Sequence, residues 1–329
     1  MKYVAVKRHG GPDVLRLADA PTPRIGAADV LIAVQAAGVS HADVMQRAGR
    51  YPPPAGASEI LGLEVAGTIA AVGEGVKRWR AGEAVCALTN GGGYAEYVAV
   101  PQGQVLPVPD GWSAVEAATL PENAFTVYDS LIARARLRSG ETVLVHGGTS
   151  GIGSTAIMFA RALGASVVAT AGTDEKCNAC RMLGASLAIN YHTQDFVAET
   201  LAATSGGGAD VIVDIVGGEY IMRDLEALAP DGRIACLATP RGRTIELDLS
   251  RLFAKRATLL ASSLRPRSSG EKAAIARKLL RDIWPLLPRR DPIAPLVDSV
   301  FTFERAADAH TRLEASAHIG KIVLVPSGK

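Results

Sequence analysis

The chain is short of several things, and each shortage narrows what it can be. Only four cysteines occur in 329 residues: Cys86, Cys177, Cys180 and Cys236. That is too sparse for a disulfide framework and indicates a reducing compartment, so a cytoplasmic location is expected. Charge of one sign is not in excess either. The formal net charge is +2 and no run of like charges occurs. A nucleic-acid or anionic-membrane binder would carry such an electrostatic footprint, so neither partner is expected. No stretch approaches the roughly 18 consecutive apolar residues of a membrane span. The first residues are broken by Lys7, Arg8 and Gly10-Gly11-Pro12, which leaves no signal-peptide core.

What remains is a globular composition, 48% hydrophobic and 21% charged, in a chain long enough for two domains. Its first third carries short apolar or β-branched runs, Tyr3–Val6, Val30–Val34, Val65–Val72 and Tyr97–Val100, separated by Gly, Pro and Asp. They predict a compact, mostly β domain whose loops, such as Tyr51–Gly56, are suited to a substrate. From residue 122 strands alternate with helices. Strands are expected at Thr142–His146, Ser166–Thr170, Leu187–Asn190, Asp210–Val216, Arg233–Ala238 and Thr258–Ser263, and helices at Gly151–Leu163 and Asp174–Leu183. This alternation predicts an α/β, doubly wound parallel sheet. The tail reads strand, helix, strand (Leu296–Phe301, Glu304–Glu314, Lys321–Val325) and is expected to rejoin the first domain. The expected division is therefore 1–121 with 265–329, and 122–264. Cys177-x-x-Cys180 falls inside a predicted helix with no second pair to complete a zinc set, and reads as packing.

The strongest chemical signal is the run from Val143 to Ser154, where a glycine-rich turn leaves a strand and opens a helix. Backbone amides and the positive helix end can receive a pyrophosphate there. Written on the dinucleotide fingerprint it gives Gly148-x-Ser150-Gly151-Ile152-Gly153, with serine at the middle glycine. An NAD site places a carboxylate at the end of the second strand to hold the ribose 2′-hydroxyl. Here that place is Ala171-Gly172, followed by Thr173 and Lys176. A hydroxyl and an ammonium one turn apart suit a 2′-phosphate, each contributing roughly 1.5–3 kcal/mol when aligned. Asp174 and Glu175 argue mildly the other way, unless they serve the helix N-terminus. Tyr191, after the third strand, would cover the phosphate or simply pack. NADPH is the cofactor expected.

Gly38-Val-Ser-His-Ala-Asp43 and Ile60-Leu-Gly-Leu-Glu-Val65 resemble the segments that carry catalytic zinc ligands in medium-chain alcohol dehydrogenases. Ser40 stands where that family has cysteine and Leu63 where it has histidine, and the four-cysteine structural-zinc lobe is missing. Leucine offers zinc no donor, and His41 with Glu64 is too small a set, so no metal is expected. The chain resembles instead the zinc-independent quinone oxidoreductase branch of the medium-chain dehydrogenase/reductase superfamily, in detail the tumour-suppressor-induced type and its bacterial relatives. The likeness runs over almost the whole chain, through Met45–Pro54, Gly56–Glu64, Pro121-Glu122, Gly151–Gly153, Leu252–Arg256 and His318–Val323. It implies a Rossmann domain beside a GroES-like domain, and a homodimer joined through Thr258–Ser263. It implies also that Ser40 and Thr126 face the nicotinamide amide, that Val216 and Leu264 line the nicotinamide pocket, and that Lys321 approaches the cofactor. Taken alone, Val216 and Leu264 read as core and Lys321 as a surface lysine.

The expected chemistry is hydride transfer to a quinone or conjugated enone in a dry cleft between the domains. Tyr51 is the candidate proton donor, although it would equally pack on the proline run. Two other readings stay open: an enoyl or alkenal reductase on the same fold, and a crystallin-like protein that binds NADPH with little turnover.

Overall fold

A computed structural model describes residues 1–287 and 295–327. Its contacts divide the chain into two units, 1–125 with 264–329 and 126–263. The first boundary falls at Phe125/Thr126 rather than at 121/122, and Leu264, expected in the second domain, groups with the first.

The first unit begins with an antiparallel ribbon, Lys2–Val6 (β1) with Leu15–Asp19 (β2). The long strand Asp29–Val39 (β3) follows, then the short helix His41–Arg47 (α1) and strands Glu64–Val72 (β4), Ala84–Leu88 (β5), Tyr97–Pro101 (β6) and Val105–Pro107 (β7). Register shifts at Leu31/Ile32 and Val34/Ala36 bend β3, so its two halves pair with different partners. Gly67 on β4 sits where a Cβ would meet the Ala33 carbonyl oxygen at 2.0 Å. The inward residues Val30, Ile32, Val65, Ile69, Val85 and Val100 are all buried and form the core. Two helices close this stretch, Ala114–Ala117 (α2) and Pro121–Val127 (α3), the latter containing the unit boundary.

The second unit alternates strictly. Thr142–Val145 (β8), Gly151–Ala162 (α4), Ser166–Ala171 (β9), Asp174–Leu183 (α5), Leu187–Asn190 (β10) and Phe196–Ala203 (α6) come first. Ala209–Asp214 (β11), Tyr220–Ala227 (α7), Leu228–Cys236 (β12), Leu249–Lys255 (α8) and Thr258–Ala261 (β13) complete it. All pairings are parallel, in the order β10-β9-β8-β11-β12-β13. Counted within the unit this is 3-2-1-4-5-6, the Rossmann order. Val143, Leu144, Val145, Val211 and Ile212 are 0% exposed, as a sheet covered on both faces requires.

The chain then returns to the first unit through Ser269–Asp282 (α9), Val297–Thr302 (β14), Ala306–Glu314 (α10) and Lys321–Val325 (β15). β15 lies between β14 and β3 in a seven-stranded sheet. No helix among the described residues is long and apolar enough to cross a membrane.

Candidate functional site

In the second unit the strand order reverses between β8 and β11, and the glycine turn leaves the C-terminal end of β8 at that switch point. Ser150 caps α4, its hydroxyl oxygen accepting from Gly153 N–H at 3.0 Å. The missing side chains have a purpose. A Cβ on Gly153 would lie 2.2 Å from the Gly147 carbonyl oxygen, and one on Gly148 would lie 2.6 Å from Cys180 Sγ. Gly151 and Ile152 are the half-buried first residues of the helix. Gly147 adopts φ +64 against Ile215, which brings the turns after β8 and β11 together, Val216 among them.

A buried polar network braces these turns. His146, at the end of β8, meets Asp224 Oδ1 through Nε2 at 2.8 Å and Thr170 Oγ1 through Nδ1 at 3.0 Å. Thr170 Oγ1 also accepts from Gly147 N–H. Asp214 Oδ1 accepts from the amides of Val216 and Gly217, at 2.6 and 3.0 Å. Burial, then the facing Asp224, push the Asp214 carboxyl up. None of this network was anticipated. The Val216 amide is thereby tied to Asp214.

Thr173, Lys176 and Tyr191 gather at the ends of β9 and β10. Thr173 caps α5, its hydroxyl accepting from Lys176 N–H. A Cβ on Gly172 would sit 2.6 Å from Tyr191 Oη, so the phenol lies against the strand end. Asp174, one of the two acids that count against a 2′-phosphate, accepts from Asn190 Nδ2 at 2.7 Å. Cys177 and Cys180 are buried on the inner face of α5, in keeping with packing.

The first unit holds the other candidates except Thr126, which opens the second. Ser40 caps α1, and its N–H and hydroxyl both donate to Asp43 Oδ2, at 2.9 and 3.0 Å. Asp43, 0% exposed, also accepts from Gly62 N–H, and burial raises its carboxyl. Lys321 is not a surface lysine. It is 6% exposed, its Nζ lies 2.6 Å from Glu64 Oε1, and it donates to the Val39 carbonyl next to Ser40. Burial works against its charge, yet Glu64, Glu122 and Asp43 together hold the ammonium above its ordinary value. Gly38 makes the room: a Cβ there would meet Glu64 Oε1 at 2.3 Å. Leu63 is buried, and Thr126 lies in α3, its carbonyl accepting from Ser130 Oγ. Leu264 is half-buried just before Arg265, whose guanidinium lies over the Tyr51 ring. Among the described residues no three His, Cys, Asp or Glu side chains are grouped to hold a metal ion.

Glu122 supplies a pH-dependent component of stability. Burial, then Glu64, raise its carboxyl from 4.5 to about 7. Across that window the native state holds a proton that the unfolded chain has lost, so stability falls as pH rises. Glu122→Gln is expected to remove this loss, by up to ~3 kcal/mol above pH 7 and by nothing below the lower value. Parallel melting curves at acidic and alkaline pH check it; identical pH dependence in both proteins would reject it.

Comparison with known proteins agrees with this architecture. Residues 26–110 match the alcohol dehydrogenase GroES-like domain family, and residues 151–279 match the zinc-binding dehydrogenase family. A rat quinone oxidoreductase is 31% identical over 99% of this chain and 98% of its own. A solved structure of an NAD-dependent alcohol dehydrogenase is 30% identical with a TM-score of 0.86, over 99% of this chain and 100% of that one. A mycobacterial protein solved in complex with NADPH is also 30% identical, with a TM-score of 0.84 and the same coverage. A Rossmann unit with its glycine cradle, a GroES-like unit returned to by the tail, and full-length relatives at this identity lead to one conclusion: the chain is an oxidoreductase of the medium-chain dehydrogenase/reductase superfamily, to whose quinone oxidoreductases it is similar from end to end.

Proposed function

We propose that the protein is an NADPH-dependent, zinc-independent reductase of quinones or conjugated enones. The observation that carries the cofactor reading is the end of β9, where Thr173 and Lys176 stand in place of a ribose-binding acid and Asp174 is held by Asn190. The glycine cradle at Gly147, Gly148 and Gly153 fits a pyrophosphate, because any Cβ there collides with backbone or neighbouring side chains. Gly148 to Gly153 would hold the pyrophosphate, Thr173, Lys176 and Tyr191 the 2′-phosphate, and Ser40, Thr126, Val216, Leu264 and Lys321 the nicotinamide end. Ser40 and Lys321 would act there with part of their hydrogen bonding already committed, to Asp43 and to Glu64. Bound NADPH supplies the hydride. Tyr51 would supply the proton to the acceptor oxygen.

Zinc independence is supported by Leu63, a residue without a donor atom, and by Ser40, whose hydroxyl serves the α1 cap. Elemental analysis of active enzyme that finds stoichiometric zinc needed for turnover would sink it. The acceptor class is supported by the rat relative, and is tested by assaying a quinone, a 2-alkenal and an enoyl thioester side by side with NADPH. Preference for the thioester would move the reading to an enoyl reductase. NADPH protection against unfolding, with no turnover on any acceptor, would favour a binding protein. Lys176→Ala is expected to weaken NADPH by roughly tenfold or more, with NADH little changed. Equal losses for the two nucleotides, measured by calorimetry, would remove the phosphate contact.

Two copies are proposed to join through β13. It is the edge strand of its sheet, with Leu259 42% exposed, and Phe253 on the preceding helix is 74% exposed. A solution mass of one chain, 34.2 kDa, would refute the dimer.

A further inference from the structure

We propose that Arg265 is a positioning residue that anchors Tyr51 and makes its phenol a stronger acid, an inference that rests on the reading of Tyr51 as proton donor. The Arg265 guanidinium carbon lies 5.0 Å from the centroid of the Tyr51 ring, and the residue is 7% exposed. Nη1 donates to the Tyr51 carbonyl, and Nη2 to Gln46 Oε1 and the Asn90 carbonyl. One cation thus ties together α1, the Tyr51 loop and the turn before β6. Behind it Lys272 of α9, 0% exposed, donates to Asn90 Oδ1 and to the Arg265 carbonyl.

Every acceptor in this set is neutral. Neither cation makes an ion pair among the described residues, and Arg265 Nε is buried without a hydrogen-bond partner. Two buried cations with no carboxylate in ion-pair contact are a costly way to hold a loop, since neutral residues of similar size would hold it more cheaply. The arrangement gains something only when negative charge forms beside it, and the group placed to carry that charge is the Tyr51 phenolate. A guanidinium over the ring face favours it over the neutral phenol. Burial works against the Arg265 charge while Tyr51 and then Asp43, from α1, favour it, and Lys272, itself favoured by Glu271 of α9, adds to the positive field. Burial, then Arg265, depress Lys272 to about 8, so its share fades as pH rises through that value.

In the reaction, hydride from NADPH reaches the acceptor carbon and the phenol proton passes to the acceptor oxygen. NADPH would leave as NADP⁺, the acceptor having gained the hydride, which carries both electrons and one proton, and one further proton from the phenol, and the phenolate would recover its proton from solvent.

The test follows near-ultraviolet phenolate absorbance against pH in the whole protein. Parent minus Tyr51→Phe isolates the Tyr51 titration, which is expected below the ordinary tyrosine value of about 10. In Arg265→Gln the same difference should move up by on the order of one to two pH units. Arg265→Lys, which keeps the charge without the fork, should move it less. A Tyr51 midpoint at or above the ordinary value in the parent overturns the proposal even if neither arginine variant folds, as does an unmoved midpoint in a folded Arg265→Gln. The high-pH fall of kcat should shift with the same midpoint. Unchanged turnover in Tyr51→Phe would defeat the proton-donor reading while leaving the titration result standing, so the two failures are distinguishable.

Discussion

Gly153→Ala is expected to weaken dinucleotide binding by on the order of a hundredfold, ~3 kcal/mol, with the second unit still folded. One methyl group suffices because the space is already taken. Its carbon would lie 2.2 Å from the Gly147 carbonyl oxygen and 2.8 Å from Gly148 Cα, both backbone atoms that cannot rotate aside. The turn must move as a body. With it go the amides of Ser150 and Gly153 and the bond from Gly147 N–H to Thr170. Gly270→Ala is the control, because the nearest atom to a Cβ there is Ser268 Oγ at 4.0 Å and the position is helical. It should bind as the parent does and be no less stable. Calorimetric titration of both variants decides the matter, and undiminished affinity in Gly153→Ala would place the dinucleotide elsewhere.

Lys321→Met should destabilise the first unit by ~3–5 kcal/mol at neutral pH. The methionine replaces most of the lysine's volume, so the loss is electrostatic. Glu64, 0% exposed, would be left facing Glu122 and Asp43 with no cation. The pH dependence identifies the cause. Without the ammonium, the folded-state value of Glu64 rises further above its unfolded value, so the native state binds the extra proton and stability falls as pH rises through that interval. Lowering the pH should therefore rescue the variant. Adding Glu64→Gln should restore much of the loss at neutral pH, and a double-mutant cycle in denaturant measures the coupling. Additive effects would mean that the pair, though 2.6 Å apart, carries no energy of its own.

The second unit was largely legible, for a physical reason. Strands such as Val143–Val145 and Val211–Val213 are buried on both faces and so read as unbroken apolar runs. Once they alternate with helices, right-handed crossovers leave few possible orders. The cap at Thr173 and the small residues opening α4 are equally local signals, which is why those turns are legible without tertiary contacts. The first unit was harder. β5 is a run of small apolar residues without alternation, β2 is interrupted by Arg16 and ends on Asp19, and β7 is only three residues long. Lys321 taken alone reads as a surface cation, because long charged side chains usually are, and nothing local in the sequence marks Arg265 or Lys272 as buried. Their burial is created by segments distant in sequence: α9 brings Lys272 against Asn90, 182 positions away, and β15 slots Lys321 between β14 and β3. Glu122 was noticed only as half of a Pro-Glu pair. What makes it titrate near neutrality is burial, then Glu64, 58 positions away.

The placement of β15 imposes an order on biogenesis. The second unit is one uninterrupted stretch and has all its strands once residue 263 has been made. The sheet of the first unit is left with a gap beside β3 until Lys321–Val325 emerge, although most of its strands were made first. A nascent chain therefore carries an open strand edge, and an uncompensated Glu64, throughout translation of the nucleotide-binding half. It is during that interval, more than in the finished protein, that this polypeptide exposes an edge open to mispairing.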